Sequence, residues 1–382
     1  MTFNTDDIVT YGVRIYVAQQ IRDDFNLKKK TKSKNCWLCE GLLDEINHFT
    51  QLISEALRDY EFNTFLIGTK IDEDIIKKEL KLIGLTQSKS TDSLKMEINR
   101  EIGKILEKES VKTVEFEQPD IVAVIDTAYD VVHLQIRSLF IYGRYKKLER
   151  GIPQTKWPCR ICRGKGCRAC NYIGKLYETS VEEIIAKPAL TMTQGNDEAF
   201  HGCGREDIDA RMLGTGRPFI LEIRNPKKRS LDFSALEQEV NASAKGRIEI
   251  STLRYSDADE VVRIKDADFR KIYSVVIEGK TPFTKEKLKE VAQILRGSTI
   301  QQFTPTRVAH RRAHMVRERR IYNCNIESVE GTIARLTIET ESGTYVKELI
   351  SGDEGKTTPN FSDLIGFPCT VKELDVLEVK GE

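Results

Sequence analysis

Residues 201–219 read His-Gly-Cys-Gly-Arg-Glu-Asp-Ile-Asp-Ala-Arg-Met-Leu-Gly-Thr-Gly-Arg-Pro-Phe. An ordinary core strand would not carry so many charged residues and glycines together. The glycines let the backbone come close to a ligand. The arginines suit a phosphate backbone, and an acid among them points to carboxylate chemistry and no further. Composition alone leaves two readings open here. One is a loop held against an anionic ligand, and the other is a solvated charged turn.

A second constellation is Cys159, Cys162, Cys167 and Cys170, spaced C-x2-C-x4-C-x2-C with Gly164 and Gly166 between the halves. Two such knuckles supply the four tetrahedral ligands that zinc takes, without help from a distant segment. With four thiolates the metal would be structural. A redox dithiol would need only one pair. Cys36 and Cys39 make a second C-x-x-C, but only half a site, since nothing upstream offers a partner pair. Cys203, Cys324 and Cys369 are isolated and read as core or incidental residues.

The elements that must position these residues can be sketched from periodicity. Apolar spacing predicts helices over 11–25, 40–60, 71–83, 90–108 and 284–296, with a short one around 345–351. Ser180 and Glu183 form a capping box for a helix over 181–187. Strands are expected at 63–68, 111–117, 120–126 and 131–142, the last three in one sheet. Further strands are expected at 218–224, 247–254, 260–265, 271–277, 332–340 and 369–379. Strands outnumber helices in the second half, so the expected class is α+β with a large, mostly antiparallel sheet.

At 382 residues the chain exceeds one ordinary core. No apolar run approaches the roughly eighteen residues a membrane helix needs. The N-terminus lacks the basic and apolar regions of a signal peptide, so a cytoplasmic protein with reduced cysteines is expected. Sixty basic residues against 59 acidic leave a net charge of +1, which by itself excludes no partner class. The distribution says more: Arg307, Arg311, Arg312, Arg317, Arg319 and Arg320 lie close together with Glu318 as their only acid. Contact with an RNA backbone fits them better than a merely solvated face.

Gly204-Arg205-Glu206-Asp207, followed by Ile208-Asp209, resembles the Gly-Arg-x-Asp signature of pseudouridine synthases, whose aspartate is catalytic. The longer string GREDIDARMLGTGRPF is similar to the Pus-ten family of archaeal and eukaryotic tRNA pseudouridine synthases. RKIYSVV (270–276), FTPTRVAHRRAHMVR (303–317) and GTYVKELISGDEGKTTPNFSDLIG (343–366) agree with that family in order. The resemblance runs from about 150 to the C-terminus.

It implies a role for each matching residue. Asp207, which the motif register selects over Asp209, would be the nucleophile, and Arg205 would help displace the target base. Tyr273, in isolation a packing residue, would lay its ring on the uracil and serve the proton step. Lys347, in isolation a surface lysine, would pair with Asp207. Tyr345 would bind substrate, and Leu349 would form the apolar floor. Arg307, Arg311 and Arg312 complete the expected substrate contacts. The reaction breaks the bond between ribose and ring nitrogen, turns the uracil and rejoins it through carbon 5. No electrons are exchanged, so no organic cofactor is expected.

The N-terminal part resembles the family's THUMP-containing accessory domain, and KNCWLCEGLLDEI matches its C-x-x-C stretch. Archaeal relatives carry an earlier C-x-x-C where this chain reads YGVRIYVAQQ, which leaves Cys36 and Cys39 as half a site. The expected organisation is a THUMP-containing tRNA-binding domain over 1–150, a zinc element over 151–176 and a catalytic domain over 177–382. By resemblance the substrate is uridine 54, uridine 55 or both in the TΨC arm of tRNA, with no membrane and no obligatory protein partner. The rival reading is a non-catalytic tRNA-binding chaperone on the same fold, which would have no reason to keep Asp207, Tyr273 and Lys347 together. A dithiol redox protein is a further rival, which stable stoichiometric zinc would exclude.

Overall fold

The computed structural model describes Cys36 and residues 38–86, 93–309 and 312–381. The helix expected over 11–25 and the side chain of Arg311 lie outside these. The chain divides into two compact units. The first takes the residues up to Ser138 together with Thr193–Asn196 and Arg224–Ser230, and the second takes the rest.

In the first unit, helix α1 (Ile46–Leu57) precedes strand β1 (Thr64–Lys70), and α2 (Glu73–Thr86) and α3 (Leu94–Glu109) follow it. Strands β2 (Thr113–Val114), β3 (Ile121–Asp126) and β4 (Val131–Ile136) complete a sheet ordered β2-β1-β3-β4. β1 runs parallel to β2 and β3, as the helical crossover between β1 and β2 permits, while β4 pairs antiparallel with β3. One core results from two periodicities. Leu94, Ile98, Ile102 and Leu106 recur every four residues on α3, and Phe65 with Ile67 and Ile121 with Ile125 alternate on the strands. Cys36, Leu38 and Cys39 are buried in the same core. The strand expected over 111–117 shrinks to Thr113–Val114.

The 131–142 run was expected in this sheet, but it breaks at Arg137-Ser138. Its second half opens β5 (Leu139–Lys147), which pairs antiparallel with β7 (Arg211–Arg224) and β8 (Ile248–Ser256) in the second unit. The burial patterns give the reason. β4 is half-buried on one face, whereas Ile141, Tyr142 and Gly143 are consecutively buried, as a strand covered on both faces requires. The units therefore part after Ser138 and not at 150.

The second unit holds a ten-stranded sheet. Besides β5, β7 and β8 it contains β6 (Asp197–Gly202), β9 (Lys271–Gly279), β10 (Thr299–Phe303) and β11 (Val316–Glu330). β12 (Ile333–Thr340), β13 (Thr357–Thr358) and β14 (Cys369–Val379) complete it. The order is β13-β10-β11-β12-β9-β14-β7-β5-β8, with β6 beside β7. Pairings along that order are antiparallel except β14 with β7. The arginines after position 315 are thus strand residues of β11.

Helix α4 (Val181–Thr193) starts where the capping box was expected. Ser180 Oγ accepts the Glu183 N–H at 3.2 Å, and its hydroxyl donates to Glu183 Oε2 at 3.0 Å. α5 (Phe233–Ala244) packs on β8. The strand expected over 260–265 is instead helix α6 (Ala258–Asp266). Asp257 caps it by accepting the Glu260 N–H at 2.8 Å, and Val261 and Ile264 are buried three residues apart, so the cap overrides β-branched propensity. α7 (Lys285–Leu295) packs on β11, α8 (Val346–Ser351) packs on β14, and α9 (Phe361–Ile365) touches α7 and α8.

Candidate active site

The segment 203–210 crosses the second unit as a loop between β6 and β7, and the carbonyls of Cys203, Gly204, Asp207, Ile208 and Asp209 are held by side chains. Arg217 Nη1 donates to Cys203 O (2.8 Å) and Gln154 Nε2 to Gly204 O (3.0 Å). Lys147 Nζ donates to Asp207 O and Ile208 O, both at 3.1 Å, and Arg150 Nη1 donates to Asp209 O at 2.8 Å. Gly204 has φ 73°, and a Cβ there would stand 3.3 Å from Arg217 Nη1 and 3.4 Å from Lys271 Nζ. The left-handed backbone favours glycine here, and a side chain would also press on both cations.

Glu206 turns inward from the loop. Its carboxylate accepts Arg217 Nε at 2.9 Å and the Tyr145 hydroxyl at 2.9 and 3.0 Å, with Lys147 Nζ 3.8 Å away. Glu206, Arg217, Tyr145 and Lys147 are all buried. Burial drives the Lys147 ammonium down from its ordinary value, and the charge of Glu206 opposes that.

Asp207, the next residue, turns the other way, onto a cavity of about 570 Å³. Its side chain is 28% exposed, enough for a ligand to reach it. Arg307 Nη1 contacts Oδ1 at 3.1 Å and Oδ2 at 3.0 Å, and Lys347 Nζ stands 3.5 Å from Oδ2. Arg307 is itself fixed by the buried Glu348, with Nε to Oε1 at 2.6 Å. Basic side chains dominate the lining: Arg205, Arg217, Lys271, Arg307, Arg312, Arg317, Arg319 and Lys347 against Glu206 and Asp207. The Nε of Arg319 is buried with no hydrogen-bond partner among the described residues. Such a wall suits an anionic ligand.

Tyr273 lines the cavity from β9, opposite Val376 of β14. Burial is the main cause that pushes its phenol up to about 12, the positive charge of Arg217 opposing and Asp207 assisting. The phenol therefore stays protonated at neutral pH. Lys271, two residues earlier on the same face, is also buried and donates to Ser342 Oγ at 3.1 Å. Burial first, and then the charge of Arg217, hold its ammonium at about 8. Tyr345 caps α8, and its backbone is clamped by Gln302, which accepts its N–H at 2.9 Å and donates to its carbonyl at 3.0 Å.

The expected residues are brought together, with some rearranged. Asp207, Arg205, Tyr273, Tyr345, Lys347, Arg307 and Arg312 all line one cavity. Lys347 sits closer to Asp209, 2.7 and 2.9 Å, than to Asp207. Burial raises the Asp209 carboxyl, but the Lys347 hydrogen bond and charge outweigh it and hold the group below its ordinary value. Arg307, expected on the RNA backbone, makes the closer pair with Asp207. Leu349, expected as the floor, is wholly buried on the packed face of α8 and does not line the cavity. Ala210, Val308, Val346, Leu374 and Val376 supply the apolar lining instead. Sequence reasoning missed Lys147, Glu206, Arg217 and Lys271. Arg217 carried the one usable signal, a lone cation beside the apolar run 218–221 of β7, whereas Lys147, Lys271 and the loop residue Glu206 look like solvated charges in the sequence.

The four cysteine sulfurs of 159, 162, 167 and 170 lie within 4.8 Å of one another and could hold a metal ion. Backbone N–H groups of Gly166, Cys167 and Gly174 donate to sulfur at 3.2–3.3 Å. Among the described residues, Cys36 and Cys39 belong to no such group. Also among these residues, no helix is long and apolar enough to cross a membrane.

Comparison with known proteins joins these observations. Residues 140–380 match the family model described as Pus10, C-terminal, and residues 49–126 match the one described as Pus10 THUMP domain, archaeal. Together they define the class: a pseudouridine synthase, an isomerase that converts uridine to pseudouridine, with a THUMP domain on its N-terminal side. Proteins named tRNA pseudouridine synthase Pus10 are similar over most of the chain. The one from Methanocaldococcus jannaschii is 44% identical over 94% of this chain and 77% of its own length. That from Methanothrix thermoacetophila is 41% identical over 91% and 77%, and that from Halorubrum lacusprofundi 39% over 97% and 88%. The chain belongs to the Pus10 family.

Proposed function

We propose that the enzyme isomerises uridine 54, uridine 55 or both in the TΨC arm of tRNA, with Asp207 as nucleophile. The observation that carries this reading is the pair of cations, Arg307 and Lys347, on a reachable Asp207 carboxylate in a cavity whose charged lining is mainly basic. Flipping the target uridine out of its stack costs roughly a few kcal/mol. Stacking on an aromatic ring returns about 1–3 kcal/mol of that, and Tyr273 offers the ring. Its protonated phenol serves the proton step, Arg205 at the rim displaces the base, and Tyr345 borders the bound nucleotide. Arg312, Arg317 and Arg319, which line the cavity, meet flanking phosphates.

Cys159, Cys162, Cys167 and Cys170 hold a structural zinc. Four thiolates leave no position open for chemistry, so the metal fixes the two knuckles and nothing more. Metal analysis of the purified chain should find one zinc per molecule. A tRNA substrate puts the enzyme in the cytoplasm.

The test is position-mapped pseudouridine in unmodified tRNA transcripts carrying cytidine at 54, at 55 or at both. Product should appear at whichever of 54 and 55 remains uridine and disappear from the doubly substituted transcript. Product elsewhere would overturn the site assignment. Tight binding without product would favour the chaperone.

A further inference from the structure

We infer that the four-cysteine element is a second RNA-contact surface, which holds phosphates on its arginines and stacks one unpaired base on Tyr172. The inference rests on the tRNA reading and extends it to a face outside the cavity.

Between Lys156 and Tyr177 the chain has no acidic residue. Lys156 and Lys175, which flank the knuckles, are neutralised by Glu198 at 3.2 Å and Glu183 at 2.5 Å. Arg160, Arg163, Lys165 and Arg168, carried on the knuckles, are exposed and form no ion pair among the described residues. Four uncompensated cations on one small metal-sized element make a dense local field.

The same tip exposes large apolar side chains: Tyr172 is 76% exposed, Ile161 74% and Ile173 57%. The backbone that carries Tyr172 is held. This residue follows Asn171 in the left-handed region, with φ 49° and 62°, and its N–H donates to Cys167 O at 2.9 Å. An exposed aromatic ring on a fixed backbone, among free cations, is the combination that single-stranded nucleic acid binds, with phosphates on the charges and a base on the ring. An apolar protein partner would have to desolvate those four cations, which favours the polyanion.

The surface is also continuous with the site. The Arg205 guanidinium, on the cavity rim, lies 5.3 Å from the Trp157 ring centroid at the base of the element, and Trp157 packs edge-on against Tyr177. An RNA strand leaving the cavity past Arg205 meets aromatic rings and then the basic tip.

The test uses the full chain, an unmodified tRNA transcript and three variants. In Arg160→Gln/Arg163→Gln/Arg168→Gln the slope of log affinity against log salt should fall by about 2–3, at roughly 0.7–0.9 per lost phosphate contact. KM should rise about tenfold or more, with kcat at saturating tRNA kept. Tyr172→Ala should weaken binding about tenfold, and Tyr172→Phe should keep wild-type affinity because the ring is retained. Zinc content and melting temperature report whether each variant is folded. Wild-type slope and affinity in the folded arginine variant would overturn the proposal. Unchanged RNA binding with lost self-association would assign the face to a second protein chain and overturn it too. If the wild-type chain itself fails to bind or modify tRNA, the tRNA reading falls first.

Discussion

Lys271 shows how far a single side chain is bent from its ordinary chemistry by this site. Burial and the neighbouring Arg217 lower its ammonium from 10.5 to about 8. The unfolded chain therefore binds more protons than the folded one between about pH 8 and 10.5. Stability from this group is full above that window and is lost as pH falls through about 8. Denaturant titrations of wild type and Lys271→Met at pH 7, 8, 9 and 10 should differ in slope, with the wild type gaining stability relative to the variant as pH rises. Parallel pH profiles would contradict it. Asp207, Tyr273 and Lys347 were legible in the sequence because a motif marks them. Lys271 was not, since an ammonium in a strand looks like a solvated one until the sheet covers it. Arg307 was legible as a cation but not as the partner of Asp207. That pairing depends on a chain separation of a hundred positions, which no local pattern reports.

At the scale of elements, the loop between β6 and β7 is a platform supported from beneath. Glu206 faces down and Asp207 up. The buried ion pair between Glu206 and Arg217 couples the loop to β7, while Tyr145 and Lys147 bring in β5. Removing one partner of a buried pair leaves an uncompensated charge and costs about 3–5 kcal/mol. Arg217→Met should lower stability by that order in urea melts, and adding Glu206→Gln should recover part of it. A single variant within about 1 kcal/mol of wild type would mean that the pair bears little of the loop's support. Here the sequence was read well where one period ran unbroken, as in β9 or α3, and badly where a cap or a change of sheet intervened. Asp257 converts 258–266 from apparent strand to helix. Arg137-Ser138 hands the chain from one sheet to the other, although the apolar run continues across it.

For the whole molecule, the two cores share no residue. The cavity that Asp207 faces is lined wholly by the second unit. A lesion in the first core should therefore lower stability without touching chemistry. Phe49 is fully buried there, and Phe49→Ala should cost that unit about 3–5 kcal/mol. Single-turnover rates at saturating tRNA should stay at the wild-type value below the new melting transition. A slower chemical step in folded variant would show that the first unit takes part in catalysis. The α+β class could be read from strand density, and the presence of more than one body from length. The place where they part could not, because β5 is an apolar strand that either sheet would accept.

The central claim is that Asp207 performs the reaction, and Asp207→Asn tests it most directly. The change keeps the shape of the side chain and removes the charge that Arg307 and Lys347 hold. Pseudouridine formation in unmodified tRNA transcript should vanish, with tRNA affinity and melting temperature near wild type, while Asp209→Asn keeps measurable activity. Product still formed by folded Asp207→Asn enzyme, and lost instead in Asp209→Asn, would contradict it.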